Sequence, residues 1–442
     1  MHHWFAIPLR QRLRARGLGL TGLLAIFLQF FSPGPARAVE EILRAGAARI
    51  DITPDAPVTL AGYASRKELS RGVHDPLSAR AVAFERSGKR LVLVSTDILG
   101  FYNGTAAAFR RAILEQCHLQ PSELFLAAIH THSAPTPVLD PATGHSNNVA
   151  YTQSLQAKLV RVVGEALERS SPVTLEAGSG ASPVGASRRQ LIDDPAGNPK
   201  VILGRNPSVM IDREVQVLKI SRTGSADPMA VLFAYNTHST SLGPRNYLVS
   251  GDVHGLAEQF VERFLGPGVV APGFAAPSGN IDPWYRVLPG FRTTNGWIPE
   301  PVLLGTLLGE EVVRTLEGIK PEDLGGPIAT IFETFDLPGK PEGVTRTTNN
   351  CPPTPLNLTV GRVGQIGFVG IGGEVFNEIG QAIKTASPFP RTVVITHCNG
   401  AAGYLPIRQA YLEGGYEVES SPFAPSAADL VIREVLRLLN AL

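Results

Sequence analysis

His130 and His132 stand on either side of one threonine, directly after the apolar run Leu124-Phe125-Leu126-Ala127-Ala128-Ile129. The run reads as a buried strand. Strand side chains alternate faces, so two histidines one residue apart point to the same side with similar reach. Imidazoles presented together at a strand end suit a metal ligand beside a polar helper, where open sheets carry their sites. The alternative is a pair of hydrogen-bonded loop histidines. Three more residues repeat the arrangement of an apolar run followed by a group able to bind a metal or a reacting atom: His238, Glu374 and Tyr404. Two histidines and a carboxylate are a ligand set of catalytic zinc that leaves a position open. None has the short spacing of a helix-borne zinc motif, and each has a structural alternative. His238 could cap, Glu374 could stabilise a helix N-terminus, and Tyr404 could be a turn aromatic.

Positioning these groups requires strands that end together. Ala47 to Thr53 reads as a first strand, and Arg80 to Glu85 with Arg90 to Thr96 as a hairpin around Ser87-Gly88-Lys89. Glu214 to Ile220, Met229 to Tyr235, Ile328 to Leu337, two short strands within Leu356 to Gly370, and Arg391 to His397 follow in the same style. Between them, 3.6-residue periodicity predicts helices over Thr105 to Cys117, Tyr151 to Arg169, Gly255 to Leu265, Pro301 to Ile319 and Ser426 to Leu442, with Gly372-Gly373-Glu374 opening another. The fold class is α/β with mixed α+β character. A single large domain, with mixed sheets flanked by helices and the site at strand ends, occupies residues 39–442.

The basic excess sits at the front of the chain. The formal net charge is +1, and removing residues 1–38 takes away five arginines and no acid, leaving 35 basic against 39 acidic side chains, a net of −4. That balance excludes a nucleic-acid footprint, and no protein partner is predicted. Residues 1–38 themselves read as a signal peptide: a basic Arg10 to Arg16, an apolar Leu18 to Phe31, and small residues in Ala36-Arg37-Ala38. Cleavage before Val39 implies a secreted or periplasmic protein; the alternative is an uncleaved anchor. No other segment is long and apolar enough to span a bilayer. Cys117, Cys351 and Cys398 have no paired spacing, so a disulfide framework is not expected.

Taken in order, the motifs resemble the catalytic domain of the neutral/alkaline, non-lysosomal ceramidases. They are Asp51-Ile52-Thr53-Pro54, Gly72-Val73-His74, Ala79-Arg80-Ala81, Ile129 to Ser133, His238, Ser250-Gly251-Asp252, Gly373-Glu374, Tyr404, and Tyr416 twelve residues later. The resemblance covers roughly residues 46–425. It implies one zinc ion held by His130, His238, Glu374 and Tyr404. His132 and Tyr416 would hydrogen-bond the substrate carbonyl or the oxyanion formed from it. Arg188 would be the active-site arginine, with Arg189 as the neighbouring register. The implied activity is hydrolysis of the N-acyl amide of a ceramide or related lipid by metal-activated water, with peripheral contact to a membrane surface.

The chain departs from the family pattern in two places. Gly279-Asn280-Ile281-Asp282-Pro283 stands where the family has Gly-Asp-Val-Ser-Pro, so the family's serine is Asp282 here. The second departure is the expectation that no C-terminal β-sandwich domain accompanies the catalytic domain. Asp282 is expected to act as a general base or only to cap the turn before Pro283. These departures leave two alternatives: a zinc hydrolase of the same fold acting on another acyl amide or ester, and a catalytically silent binding protein.

Overall fold

Strands that are apolar on both faces must be covered on both faces, and two stacked sheets with outer helices accomplish this. The computed structural model describes residues 42–283, 300–344 and 350–442; the expected signal peptide and its cleavage site lie outside the described residues. One mixed sheet of eight strands runs, edge to edge, Gly273–Ala275, Pro228–Tyr235, Glu214–Arg222, Ser171–Ala181, Arg44–Asp51, Ser78–Arg86, Lys89–Thr96 and Leu124–Ala128. Its two outermost pairings are parallel and its interior pairings antiparallel. A second sheet of four strands runs Ile328–Leu337, Thr354–Val363, Ile366–Ile371 and Arg391–Ile395.

The central strand of the sequence reading shows how the layers stack. In Leu124–Ala128, Phe125 and Ala127 join Phe84, Leu91, Phe368 and Ile395 in the core between the sheets. Leu124, Leu126 and Ala128 face the other way, onto helices α1 (Thr105–Gln116) and α2 (Ser146–Glu168). Helices α3 (Asp252–Leu265) and α4 (Glu300–Glu317) cover the far half of the same sheet. The four-stranded sheet is backed by α5 (Asn377–Ala386) and, after the short α6 (Arg408–Glu413) and α7 (Tyr416–Ser420), by α8 (Ala427–Leu439). The result is a helix–sheet–sheet–helix stack, the α+β class expected. Among the described residues no helix is long and apolar enough to cross a membrane, and the cysteines are free.

Differences from the expected elements are local and have physical causes. The hairpin turn is Ser87-Gly88 alone, both left-handed at φ 54° and 70°, as a two-residue turn of matching twist requires. Glu374 does not open a helix: Glu374–Val375 pairs in parallel with Tyr404–Leu405, and α5 starts at Asn377. Ser171–Ala181 and the hairpin Arg189–Asp193 with Pro199–Leu203 were not expected as strands. The first carries only Val173, Leu175 and Ala177 inward, a weak alternation beside two glycines.

Candidate metal centre and active site

The strand before the histidines ends at Ala128, and His130 takes a left-handed backbone with φ 61°. The strand pleat therefore does not aim the two rings; a turn does. His130 Nδ1 is 2.7 Å from the Leu99 carbonyl, which fixes the hydrogen there and turns the Nε2 lone pair inward, 3.3 Å from His132 Nε2. The loop is laced in place by the parallel bridge Thr131–Ser239, by His132 N–H donating to Ser239 O at 3.0 Å, and by Thr131 Oγ1 donating to Ser250 O at 2.8 Å.

His238 follows the strand Pro228–Tyr235 by three residues and is held in the same manner. Its Nδ1 lies 2.9 Å from Ser278 O and 3.0 Å from Ile281 O, which fixes the hydrogen there and leaves the lone pair on Nε2. Glu374 closes the group. Its Oε2 is 3.6 Å from His130 Nε2 and 3.7 Å from His238 Nε2, and this buried oxygen has no hydrogen-bond partner among the described residues. Gly279 lets the Ser278–Ile281 turn come this close: its N–H donates to Val375 O at 2.8 Å, and a Cβ there would sit 2.7 Å from Glu374 O.

These groups fit a metal ion. Four ligands at zinc-bond distance around a tetrahedral centre are about 3.3–3.6 Å apart, close to the separations seen. His130, His132 and His238 also offer ligand nitrogens within 4.8 Å of one another, so His132, expected as a carbonyl-binding group, borders the same centre. Burial, with His397, His238 and His132 nearby, pushes His130 well below the usual histidine range, so its imidazole is a neutral donor. Burial would raise the Glu374 carboxyl, but His238 and His397 beside it hold it down at about 2. A neutral His130 imidazole and an ionised Glu374 carboxylate are protonation states a metal requires.

Across the site Arg188, buried, binds three groups at once. Its Nε donates to Glu417 Oε1 at 2.7 Å, Nη1 to Asp282 Oδ1 at 3.2 Å, and Nη2 to Tyr404 OH at 3.1 Å; Nη1 is also 3.3 Å from His238 Nε2. Burial opposes the guanidinium charge, but Tyr404, Asp282 and Glu417 outweigh it and raise Arg188 well above the usual value. Arg189 points away, to Glu417 Oε2 at 2.7 Å and Gly414 O at 2.7 Å, so Arg188 is the arginine facing the site. Tyr416 is half exposed, its ring centroid 5.6 Å from that of Tyr404. All eight residues singled out in the sequence thus converge on one end of the stack.

Three neighbours were not singled out. Glu417 joins Arg188 to Arg189, and its signal was its place beside Tyr416. His397 stacks on His130, centroids 3.8 Å apart at 12°; like the other site groups it follows an apolar strand. Tyr102 donates to Glu374 Oε1 at 3.3 Å. The remaining motifs build the scaffold. Asp75, beside His74, accepts from Ser250 Oγ and, at 2.8 Å, from Gly251 N–H, and Ser250 in turn supports Thr131. Arg80 is fully buried against Asp97, Glu258 and Glu262.

Residues 43–277 match the family model for the N-terminal domain of neutral/alkaline non-lysosomal ceramidase. The chain belongs to this family. It is 25% identical over 276 residues to the neutral ceramidase of Oryza sativa subsp. japonica, covering 58% of this chain and 33% of that protein. It is 25% identical over 239 residues to the neutral ceramidase of Mycobacterium tuberculosis, covering 51% and 36%. These matches thus span about a third of each curated relative's length. The fold is that of the neutral ceramidase from Pseudomonas aeruginosa, with TM-score 0.73, 20% identity, and coverage of 91% of this chain and 75% of that one.

Proposed function

We propose that the chain is a zinc-dependent amidohydrolase acting on the N-acyl bond of a ceramide or a related N-acyl lipid. The observation that carries this reading is the convergence of two inward imidazole lone pairs on a buried carboxylate oxygen that no described residue hydrogen-bonds. Zinc held by His130, His238 and Glu374, with Tyr404 as a further oxygen ligand, would polarise the amide carbonyl and acidify a water at the site. Arg188 keeps Tyr404 and Asp282 oriented toward that space. His132 and Tyr416 donate to the oxyanion as the carbonyl carbon becomes tetrahedral. Asp282 accepts the proton of the attacking water and returns it to the nitrogen, so the C–N bond breaks to leave a carboxylic acid and a free amine.

Support for a lipid substrate comes from the relatives' ceramidase names and from the rim of the site. Leu191, Leu203 and Leu412 are exposed there, where Pro199–Leu203 packs on α6 and α7 beside Tyr416. We read this rim as a peripheral contact with a lipid surface. The second reading, a hydrolase for another acyl amide or ester, is favoured by Asp282, whose charge near the carbonyl site differs from a serine hydroxyl. Purified zinc-loaded protein given labelled ceramide in mixed micelles, beside short N-acyl amides and esters, tests the choice. Ceramide turnover at least tenfold above the best alternative is expected. Turnover confined to short esters or amides would favour the second reading, and none at all a silent binding protein.

Export is part of the same proposal. Protein recovered from outside the cytoplasm of a secreting host should begin at Val39 by N-terminal sequencing. A membrane-bound form beginning at Met1 would instead establish the uncleaved anchor.

A further inference from the structure

Glu374 presents two oxygens to two different environments. Oε2 faces His130 and His238, while Oε1 accepts a hydrogen bond from Tyr102 OH at 3.3 Å. Tyr102 belongs to the connection between the strand Lys89–Thr96 and α1. That connection also supplies the Leu99 carbonyl that fixes His130 Nδ1. Three residues apart, Leu99 and Tyr102 therefore orient two side chains that are distant in sequence.

The turn is built to hold the tyrosine still. Tyr102 O accepts from Thr105 Oγ1 at 2.6 Å and from Thr105 N–H at 3.0 Å. Asn103 and Gly104 are both left-handed, φ 51° and 83°, which turns the chain into the helix. Gly100 clears space for the ring, since a Cβ there would lie 2.6 Å from Tyr102 Cε2. Phe101 anchors the segment edge-on against Phe109, centroids 5.9 Å apart. The outer side of the Tyr102 ring lines a cleft of about 610 Å³ with Phe101, Ala106, Leu114 and Phe332. The ring is thus the wall between that cleft and Glu374.

We propose that Tyr102 is a positioning residue for the metal carboxylate. By holding Oε1 it leaves Oε2 as the single oxygen offered to the metal and prevents the carboxylate from rotating to bind through both. This rests on the reading of Glu374 as a zinc ligand. Groups that orient a metal ligand through its second atom typically change metal affinity by about 10- to 100-fold.

Tyr102→Phe keeps the wall and removes only the hydroxyl. Zinc affinity, measured by competition with a chromogenic chelator, should fall by about tenfold or more. The visible spectrum of the cobalt-substituted variant should shift as the carboxylate changes its binding mode. In a Glu374→Ala background, where no side-chain oxygen is left to accept from Tyr102, the same Tyr102→Phe change should leave the residual zinc affinity unaltered. Wild-type affinity in Tyr102→Phe, or an equal loss in the Glu374→Ala background, would overturn the proposal while leaving the zinc centre standing. A wild-type protein that binds no stoichiometric zinc would overturn the centre itself, and the role of Tyr102 with it.

Discussion

His238→Ala should lower bound zinc from one equivalent to a small fraction and reduce amide turnover by about a thousandfold or more, as expected when a metal supplies the activated water. Removing the imidazole takes away one of the two ring nitrogens that face Glu374, leaving His130 Nε2 and the carboxylate 3.6 Å apart. Two protein ligands and a phenol do not hold zinc against a chelator as three ligands and a phenol do. The fold should survive. His238 lies in the loop after a completed strand, and its ring bonds only to site groups: two backbone carbonyls at Nδ1 and Arg188 Nη1 at Nε2, the arginine keeping Glu417 and Asp282 as partners. Elemental analysis with a thermal melt checks both parts. A folded variant that keeps a full equivalent would remove His238 from the centre and leave the His130–His132 pair to explain the zinc.

Asp282→Asn should keep zinc and lower turnover by about a hundredfold, the usual contribution of a general base. Asp282 is buried, on the short strand Ile281–Pro283 that pairs with Gly185–Ser187. Its Oδ1 accepts from Arg188 Nη1 at 3.2 Å. The variant keeps the strand, and Arg188 keeps Glu417 as its carboxylate partner, so neither fold nor arginine placement depends on the charge alone. The two roles open to Asp282 separate in the pH profile. A base gives an acid limb in kcat/KM that disappears in the Asn variant. A residue that only orders the turn and Arg188 leaves that limb in place. Asp282→Ser should move preference toward ceramide. Unchanged turnover in the Asn variant would assign Asp282 to the turn.

The apolar run before His130 was legible because a strand between two layers needs hydrophobic residues on both faces, and Leu124–Ala128 carries nothing else. The same logic exposed His238, while Ile366–Ile371 and Arg391–Ile395 pointed toward Glu374 and Tyr404. What the sequence could not show was how the rings are aimed. Strand alternation predicted the convergence of His130 and His132, but the structure achieves it with a left-handed residue and a carbonyl from a different connection. Tyr102 and Glu417 were illegible for a related reason. Each acts across a gap of more than two hundred residues, Tyr102 on Glu374 and Glu417 on Arg188, and no local pattern encodes such a partner. Glu374 was taken as a helix-opening acid because Gly-Gly before it and α5 after it look like a helix start. Its true neighbour is Tyr404, through a two-residue parallel pairing too short to leave a periodic signal.

The proposed zinc centre is tested most directly by anomalous diffraction at the zinc absorption edge from crystals of the zinc-loaded protein. The account predicts one strong peak about 2.0–2.2 Å from His130 Nε2, His238 Nε2 and Glu374 Oε2 together, with Tyr404 OH facing it and His132 outside bonding distance. A peak bound by the three histidines with Glu374 excluded, or a site elsewhere in the molecule, would contradict it.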